Sequence, residues 1–299
     1  MATFLTPDKL RVEQVGNVSI TIKEKIIPDS LVATKDVASH VKKGQKMKPC
    51  LLLNDGTGKP KGITVHNTGD ISVKDGTTPA EQYTRATYNG NMNGAVVHFY
   101  VYKNDIWQML REDERGWHAS DGSTRRTDHR GGKTGGNLDT ISIECIGDIE
   151  ESTETTAKLV AYLCAKYDLD PKLDVYTHNW WMHGTDASVS GAKKNCPIYI
   201  LSTWSSLFLP TVSTHYNNIK YSDTVDCDMC SYTNTMYNTL NDIPAGEFRD
   251  IINKLMHIPA KNGSGYIING YGDGTLRLSN DMVRMLVINY RAGLYGDIL

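Results

Sequence analysis

Thr140-Ile-Ser-Ile-Glu-Cys-Ile-Gly147 alternates apolar and polar side chains along its length. That period is the signature of a half-buried β-strand. Ile141, Ile143 and Cys145 share one face, and Ser142 and Glu144 share the other. A second segment, Ile63 to Asn67, repeats the pattern, with Ile63 and Val65 on one face and Thr64 and His66 on the other. It follows a turn-forming stretch, Asn54 to Gly62. After the Thr140 strand, Ser152 is expected to cap a helix running to about Asp168. Ala157, Val160, Ala161, Cys164 and Tyr167 recur there at helical spacing, and Pro171 lies beyond the stop.

Working outward, Pro79 to Tyr88 reads as a helix with proline in its first turn. Ala95 to Tyr102 reads as a strand, and Ile106 to Leu110 is expected to pair with it across the Lys103-Asn104-Asp105 turn. Ile198 to Leu209 reads as a last helix. Strands mixed with helices over about 200 residues imply one α/β domain. Upstream, the apolar segments Val18 to Ile22 and Ile26 to Val32 read as an N-terminal extension, over about residues 1–55.

The chain has 299 residues, for which two domains are the default. Its 32 basic and 34 acidic side chains leave a net charge of −2, which argues against nucleic acid as a partner. No apolar stretch reaches the roughly 20 residues of a membrane span. Asp8, Lys9 and Arg11 interrupt the N-terminus, so no signal peptide is expected. The six cysteines are scattered, which is not a disulfide framework. Cys145 and Cys164 read as buried free thiols.

Leu209 to Asn218, with Pro210 and several polar residues, is the expected linker. The domains are accordingly 1–210 and 211–299, the second a small α+β unit. Helices are expected there at Ala245 to His257 and Asn280 to Leu294, with a hairpin between them around Asp273-Gly274. Tyr266, Tyr271, Tyr290 and Tyr295 suit sugar stacking or a small core, the core being favoured for most of them. Cys227-Asp-Met-Cys230 fits a local disulfide, two free thiols, or half of a zinc site completed by His215 or His257.

The chemistry-bearing residues fall in the first domain. His66 ends a strand, His178 follows the Val-Tyr-Thr run, and Cys196 precedes a proline in Lys193-Lys-Asn-Cys-Pro197. Two imidazoles, a thiolate and one open position make a hydrolytic zinc centre. Glu144 suits a general base beside it, and Lys194 suits an oxyanion stabiliser. His183 competes with His178; His178 is preferred because it directly follows a β-like segment. His98 reads as a packed histidine rather than a ligand. Trp117 and His118 read equally as substrate-groove residues or as loop aromatics covering the core. Gly131-Gly-Lys133-Thr134 is not a phosphate loop, because Thr127 stands where that motif needs its first glycine. Arg125, Arg126 and Arg130 in the same stretch read as a solvated loop or as contacts to substrate carboxylates.

The motifs Ile-Thr-Val-His66-Asn-Thr, Val-Val-His98-Phe-Tyr-Val, Gly-Trp117-His118-Ala, Ile-Ser-Ile-Glu144-Cys, and Thr-His178 followed by Lys194-Asn-Cys196-Pro occur in that order. In this the chain resembles the zinc-dependent N-acetylmuramoyl-L-alanine amidases of bacteriophage endolysins and bacterial autolysins, over roughly residues 60 to 200. The resemblance implies the fold shared with peptidoglycan-recognition proteins, a mixed β-sheet flanked by helices. It implies Zn2+ held by His66, His178 and Cys196, with Glu144 and Lys194 catalytic. Asn67, Trp117 and His118 would touch substrate. The implied reaction cleaves the bond between N-acetylmuramic acid and L-alanine in peptidoglycan, of a Gram-positive wall. Such a protein stays in the host cytoplasm until a separate lesion releases it to the wall. The 211–299 segment would bind the wall or oligomerise. The alternatives are a peptidoglycan-binding protein without activity and a virion-associated structural protein of the same fold.

Overall fold

A computed structural model describes residues 5–73, 76–222, 236–259, 266–268, 275–291 and 295. Two compact units divide the chain, Met1–Ser222 and Asp223–Leu299.

The first unit is built on a seven-stranded mixed sheet. Its strands are β1 Lys9–Val15, β2 Val18–Glu24, β3 Gly62–Thr68, β4 Phe99–Tyr102, β5 Asp105–Gln108, β8 Thr140–Ile146 and β9 Val175–Thr177, in the order β1-β2-β5-β4-β8-β3-β9. The intervening β6 Arg126–Thr127 and β7 Lys133–Thr134 form a separate ribbon. Strands β4, β8, β3 and β9 run parallel. Register sets Val65 beside Ile143 and His66 beside Glu144, while Tyr100 lies on the other side of Glu144.

The alternation read from the sequence separates the two faces. Ile63, Val65, Phe99, Val101, Ile141, Ile143, Cys145 and Val175 bury into one core. Against them pack Ala157, Val160, Ala161 and Cys164 of the helix Glu150–Tyr167. Burying both faces is what a mostly parallel sheet requires. Cys145 and Cys164 are free thiols within this core, as expected.

Several local expectations change. Ser152 is not the helix cap. Ile149 precedes the helix, and the Ser152 hydroxyl, inside the first turn, accepts a hydrogen bond from the Lys103 backbone N–H at 2.8 Å. Glu150 and Glu151 supply the negative charge that favours a helix start. The segment up to residue 55 is no mere extension. Its β1–β2 hairpin joins the sheet, with β2 parallel to β5, and buries Ile20 and Ile22 in the main core.

The expected linker is also a helix. Leu209–Ser222 continues from a π-turn at Trp204–Phe208 and buries Val212 against the helix Glu150–Tyr167. His215 Nε2 lies 2.9 Å from Glu154 Oε1. Pro210 is the second residue of this helix, directly after the π-turn. Instead of one helix over Ile198 to Leu209, a 3-10 turn at Leu201–Thr203 precedes the π-turn.

In the second unit, helices Glu247–Leu255 and Asn280–Arg291 and the paired strands β10 Met236–Tyr237 and β11 Leu278–Ser279 enclose a core of Tyr237, Ile251, Ile252, Leu255, Val283 and Val287. Tyr290 and Tyr295 pack against that core, and Tyr266 is half exposed. Cys227, Cys230, Tyr271 and the expected Asp273-Gly274 turn lie outside the described residues. Among the described residues, no helix is long and apolar enough to cross a membrane.

The hairpin's role is measurable by chemical denaturation. Ile22→Ala removes a side chain with no exposure and should cost roughly 2–5 kcal/mol. Leu10→Ala, at a position 60% exposed, should stay within about 0.5 kcal/mol.

Candidate metal and catalytic site

Parallel α/β sheets expose their ligand crevice at the carboxyl ends of their strands. Here that edge carries His66 near the end of β3, Glu144 near the end of β8, and His178 immediately after β9. His178 opens a short helix, His178–His183, whose cap is Thr177; the Thr177 hydroxyl accepts a hydrogen bond from the Trp180 N–H. Asp186 secures this corner by accepting from both the N–H and the hydroxyl of Thr177, at 2.9 and 2.7 Å.

Cys196 is delivered by a loop that Asn179 clamps. The Cys196 N–H donates to Asn179 Oδ1 at 2.8 Å, and the Asn179 N–H donates to the Cys196 carbonyl at 2.9 Å. The Asn179 amide also donates to Asn195 Oδ1 at 2.8 Å. This fully buried residue follows His178 directly, so one dipeptide fixes two of the three converging groups. Sequence reasoning missed it. Asn179 adjoins the chosen histidine, but in the sequence it looks like any turn residue.

The convergence itself is close. One donor atom each from His66, His178 and Cys196 lie within 4.8 Å of one another, and all three residues are buried. Cys196 Sγ is 3.9 Å from His66 Nδ1. His66 Nε2 meets His118 Nδ1 at 3.1 Å. Asn137 holds His118 in turn, accepting from the His118 and Ala119 N–H groups at 2.7 and 2.8 Å. Neither ring nitrogen of the buried His178 has a hydrogen-bond partner of good geometry, nor does Glu144 Oε2. Buried polar atoms left this way are costly unless something else satisfies them.

Burial sets the protonation of these groups. Burial, reinforced by His178, His118 and Lys194, holds His66 well below the usual imidazole range. Burial and the Lys194 ammonium bring His178 down to about 4. Both rings are therefore neutral, the form that ligates metals. Burial and the nearby Glu144 push the Cys196 thiol up to about 12, against the opposing Asn67 N–H and Lys194. A thiolate there needs a cation beside it. The donor set fits a divalent metal of borderline softness.

Glu144, His66, His118, His178, Lys194 and Trp117 line one cavity of about 600 Å³. Burial raises the Glu144 carboxyl to about 7, with Lys194 pulling the other way. Asn67 departs from expectation. It does not line the cavity; its amide donates to the Cys145 carbonyl at 2.8 Å and its oxygen accepts from the Tyr199 N–H at 3.1 Å. Its backbone N–H lies 3.5 Å from Cys196 Sγ, so it holds the wall behind that thiol. His183 is exposed and outside the convergent group, its Nε2 lying 3.3 Å from the Lys194 carbonyl oxygen. His98 is a packed histidine, spending its nitrogens on Ser142 Oγ and the Glu114 carbonyl. Arg125 is tied to Asp139 and Asp55, and Arg130 to Asp174.

Residues 56–198 match the N-acetylmuramoyl-L-alanine amidase family. Over this segment the resemblance read from the motifs is a finding. The N-acetylmuramoyl-L-alanine amidase XlyA of Bacillus subtilis (strain 168) is 32% identical over 152 residues, which is 49% of this chain and 42% of that protein. The N-acetylmuramoyl-L-alanine amidase CwlH of the same organism is 29% identical over 209 residues, 69% of this chain and 63% of the relative. The match thus spans less than two thirds of either relative. The solved catalytic domain of XlyA is 26% identical, with a TM-score of 0.45, covering 64% of this chain and 98% of that one.

The clamp predicts its own phenotype. Asn179→Ala should weaken binding of a divalent metal by roughly 10–100-fold, read by competition with a chromogenic chelator. His183→Ala should leave that affinity unchanged, and equal losses in the two variants would contradict the assignment.

Proposed function

We propose that the first unit hydrolyses the amide bond between the lactyl group of N-acetylmuramic acid and L-alanine in bacterial peptidoglycan, and that the chain acts as an endolysin. One observation carries this reading: donor atoms of His66, His178 and Cys196 converge, and the two histidines line one cavity with the half-buried Glu144 and with Lys194. The family match over residues 56–198 supplies the substrate class.

His66, His178 and Cys196 would hold Zn2+. That ion, when bound, polarises a carbonyl and acidifies water. The chain's own residues do the rest. Glu144 takes a proton from the attacking water and passes it to the departing alanine nitrogen. Its raised pKa, about 7, suits both transfers near neutrality. Lys194 places its ammonium where the scissile carbonyl oxygen gains negative charge. Trp117 and His118 line the cavity and bound the substrate. Retention of Cys196, Glu144 and Lys194 together supports catalysis over binding alone. The second unit, with its separate core, fits a wall-targeting or assembly module.

Mass spectrometry of digested walls tests the reading. Wild-type protein should release peptides with a free L-alanine amino group and leave intact glycan. Peptides that stay attached, despite bound zinc, would overturn it. Cys196→Ser and Glu144→Gln should each lose at least about 100-fold in rate while still sedimenting with walls. The pH profile gives a second check. Lys194 favours the ionised Glu144, so Lys194→Met should raise the Glu144 pKa. The acidic limb of the rate profile should then move to higher pH.

A further inference from the structure

The matched family segment begins at residue 56, yet the cavity has a wall made from earlier sequence. His40 lines it and meets the Trp117 ring edge-on, with ring centroids 4.9 Å apart. The segment that presents His40 is firmly seated. Ile27, Ala33, Val41 and Met47 bury in the second core of this unit, together with Val96 and Val97. Lys48, 1% exposed, pairs with the equally buried Glu114 at 2.7 Å.

Two glycines let this segment approach. A Cβ on Gly90 would stand 2.9 Å from Val37 Cγ1. One on Gly94, which has φ +78°, would stand 2.8 Å from Ala38 Cβ and 3.1 Å from the His40 ring. Any larger residue at either position would push the wall away. His40 itself is exposed, so its place is set by the packing of its neighbours and not by its own burial.

The cavity lining away from the histidine pair and Cys196 has a distinct chemistry. Formal charge in the cavity comes from Glu144 and Lys194, whereas Asn93, Trp117, Ser120 and Ser123 offer an aromatic surface and neutral hydrogen-bonding groups. Such a wall suits a neutral, hydroxyl-rich ring with an apolar face better than a charged peptide. We propose that His40 and Trp117, with Asn93, form a subsite for the pyranose next to the muramoyl residue, built by the segment that precedes the matched domain. This rests on the peptidoglycan reading above, and it makes His40 a specificity-determining residue.

Calorimetry with the full-length Glu144→Gln protein tests it without cleavage. The probes are N-acetylmuramoyl-L-alanyl-D-isoglutamine and the same molecule carrying an N-acetylglucosamine on the muramoyl ring. The disaccharide probe should bind about 10-fold more tightly, roughly 1.4 kcal/mol. Adding His40→Ala should erase that advantage and leave the monosaccharide probe unchanged. His40→Phe, which keeps the edge against Trp117 but not the ring nitrogens, should restore part of it. Equal binding of both probes before His40 is changed, or an equal loss for both in His40→Ala, would overturn the subsite while leaving the amidase reading intact. Failure of both probes to bind would overturn the two together.

Discussion

The register of three parallel strands is the constraint on which everything else rests. Pairing of β3 with β8 sets His66 beside Glu144, and β9 then delivers His178 at the same edge. In a strand the side-chain period is two, so a one-residue slip would turn the whole polar set into the core. The apolar alternation of Ile63, Val65, Ile141, Ile143 and Cys145 forbids that slip, because those residues fill the core under the helix Glu150–Tyr167. The same pattern that stabilises the sheet therefore aims the chemistry.

Burial of the converging groups gives them their character. Imidazoles are held neutral, the thiol is held protonated, and the carboxyl is raised to about 7. Desolvation alone would make this corner unfavourable. A bound divalent cation would reverse the balance for the thiolate and satisfy the unpartnered nitrogens of His178. Lys194, exposed at the rim, adds a positive charge that a substrate can meet without first being buried. The arrangement places the costly groups inside and the adaptable one outside.

Much of this was legible because the informative signals are local. Strand alternation, the Pro79 helix start and the ordered motifs around His66, Glu144, His178 and Cys196 each need only a short window of sequence. The preference for His178 over His183 came from its position after a β-like run, and the geometry groups His178 with His66 and Cys196. What escaped was non-local. The β1–β2 hairpin has exposed Leu10 and Val12 on one side, so its sequence does not announce burial, and its partner β5 lies some eighty residues on. Pro210 reads as a break unless it is known to occupy a first helical turn. Asn67 and Asn179 look alike as polar residues after a histidine. Only the loop from Cys196 to Tyr199, which returns from far along the chain, shows that both are tethers. The wall at His40 escaped for the same reason, since it depends on Gly90 and Gly94 in a distant turn.

The central claim is that His66, His178 and Cys196 hold one metal ion together. X-ray absorption at the zinc edge, on purified protein loaded with one equivalent of zinc, tests this most directly. The account predicts one sulfur and two imidazoles in the coordination shell, with the sulfur contribution lost in Cys196→Ser and one imidazole lost in His178→Ala. A shell of nitrogen and oxygen alone in the unaltered protein would contradict it.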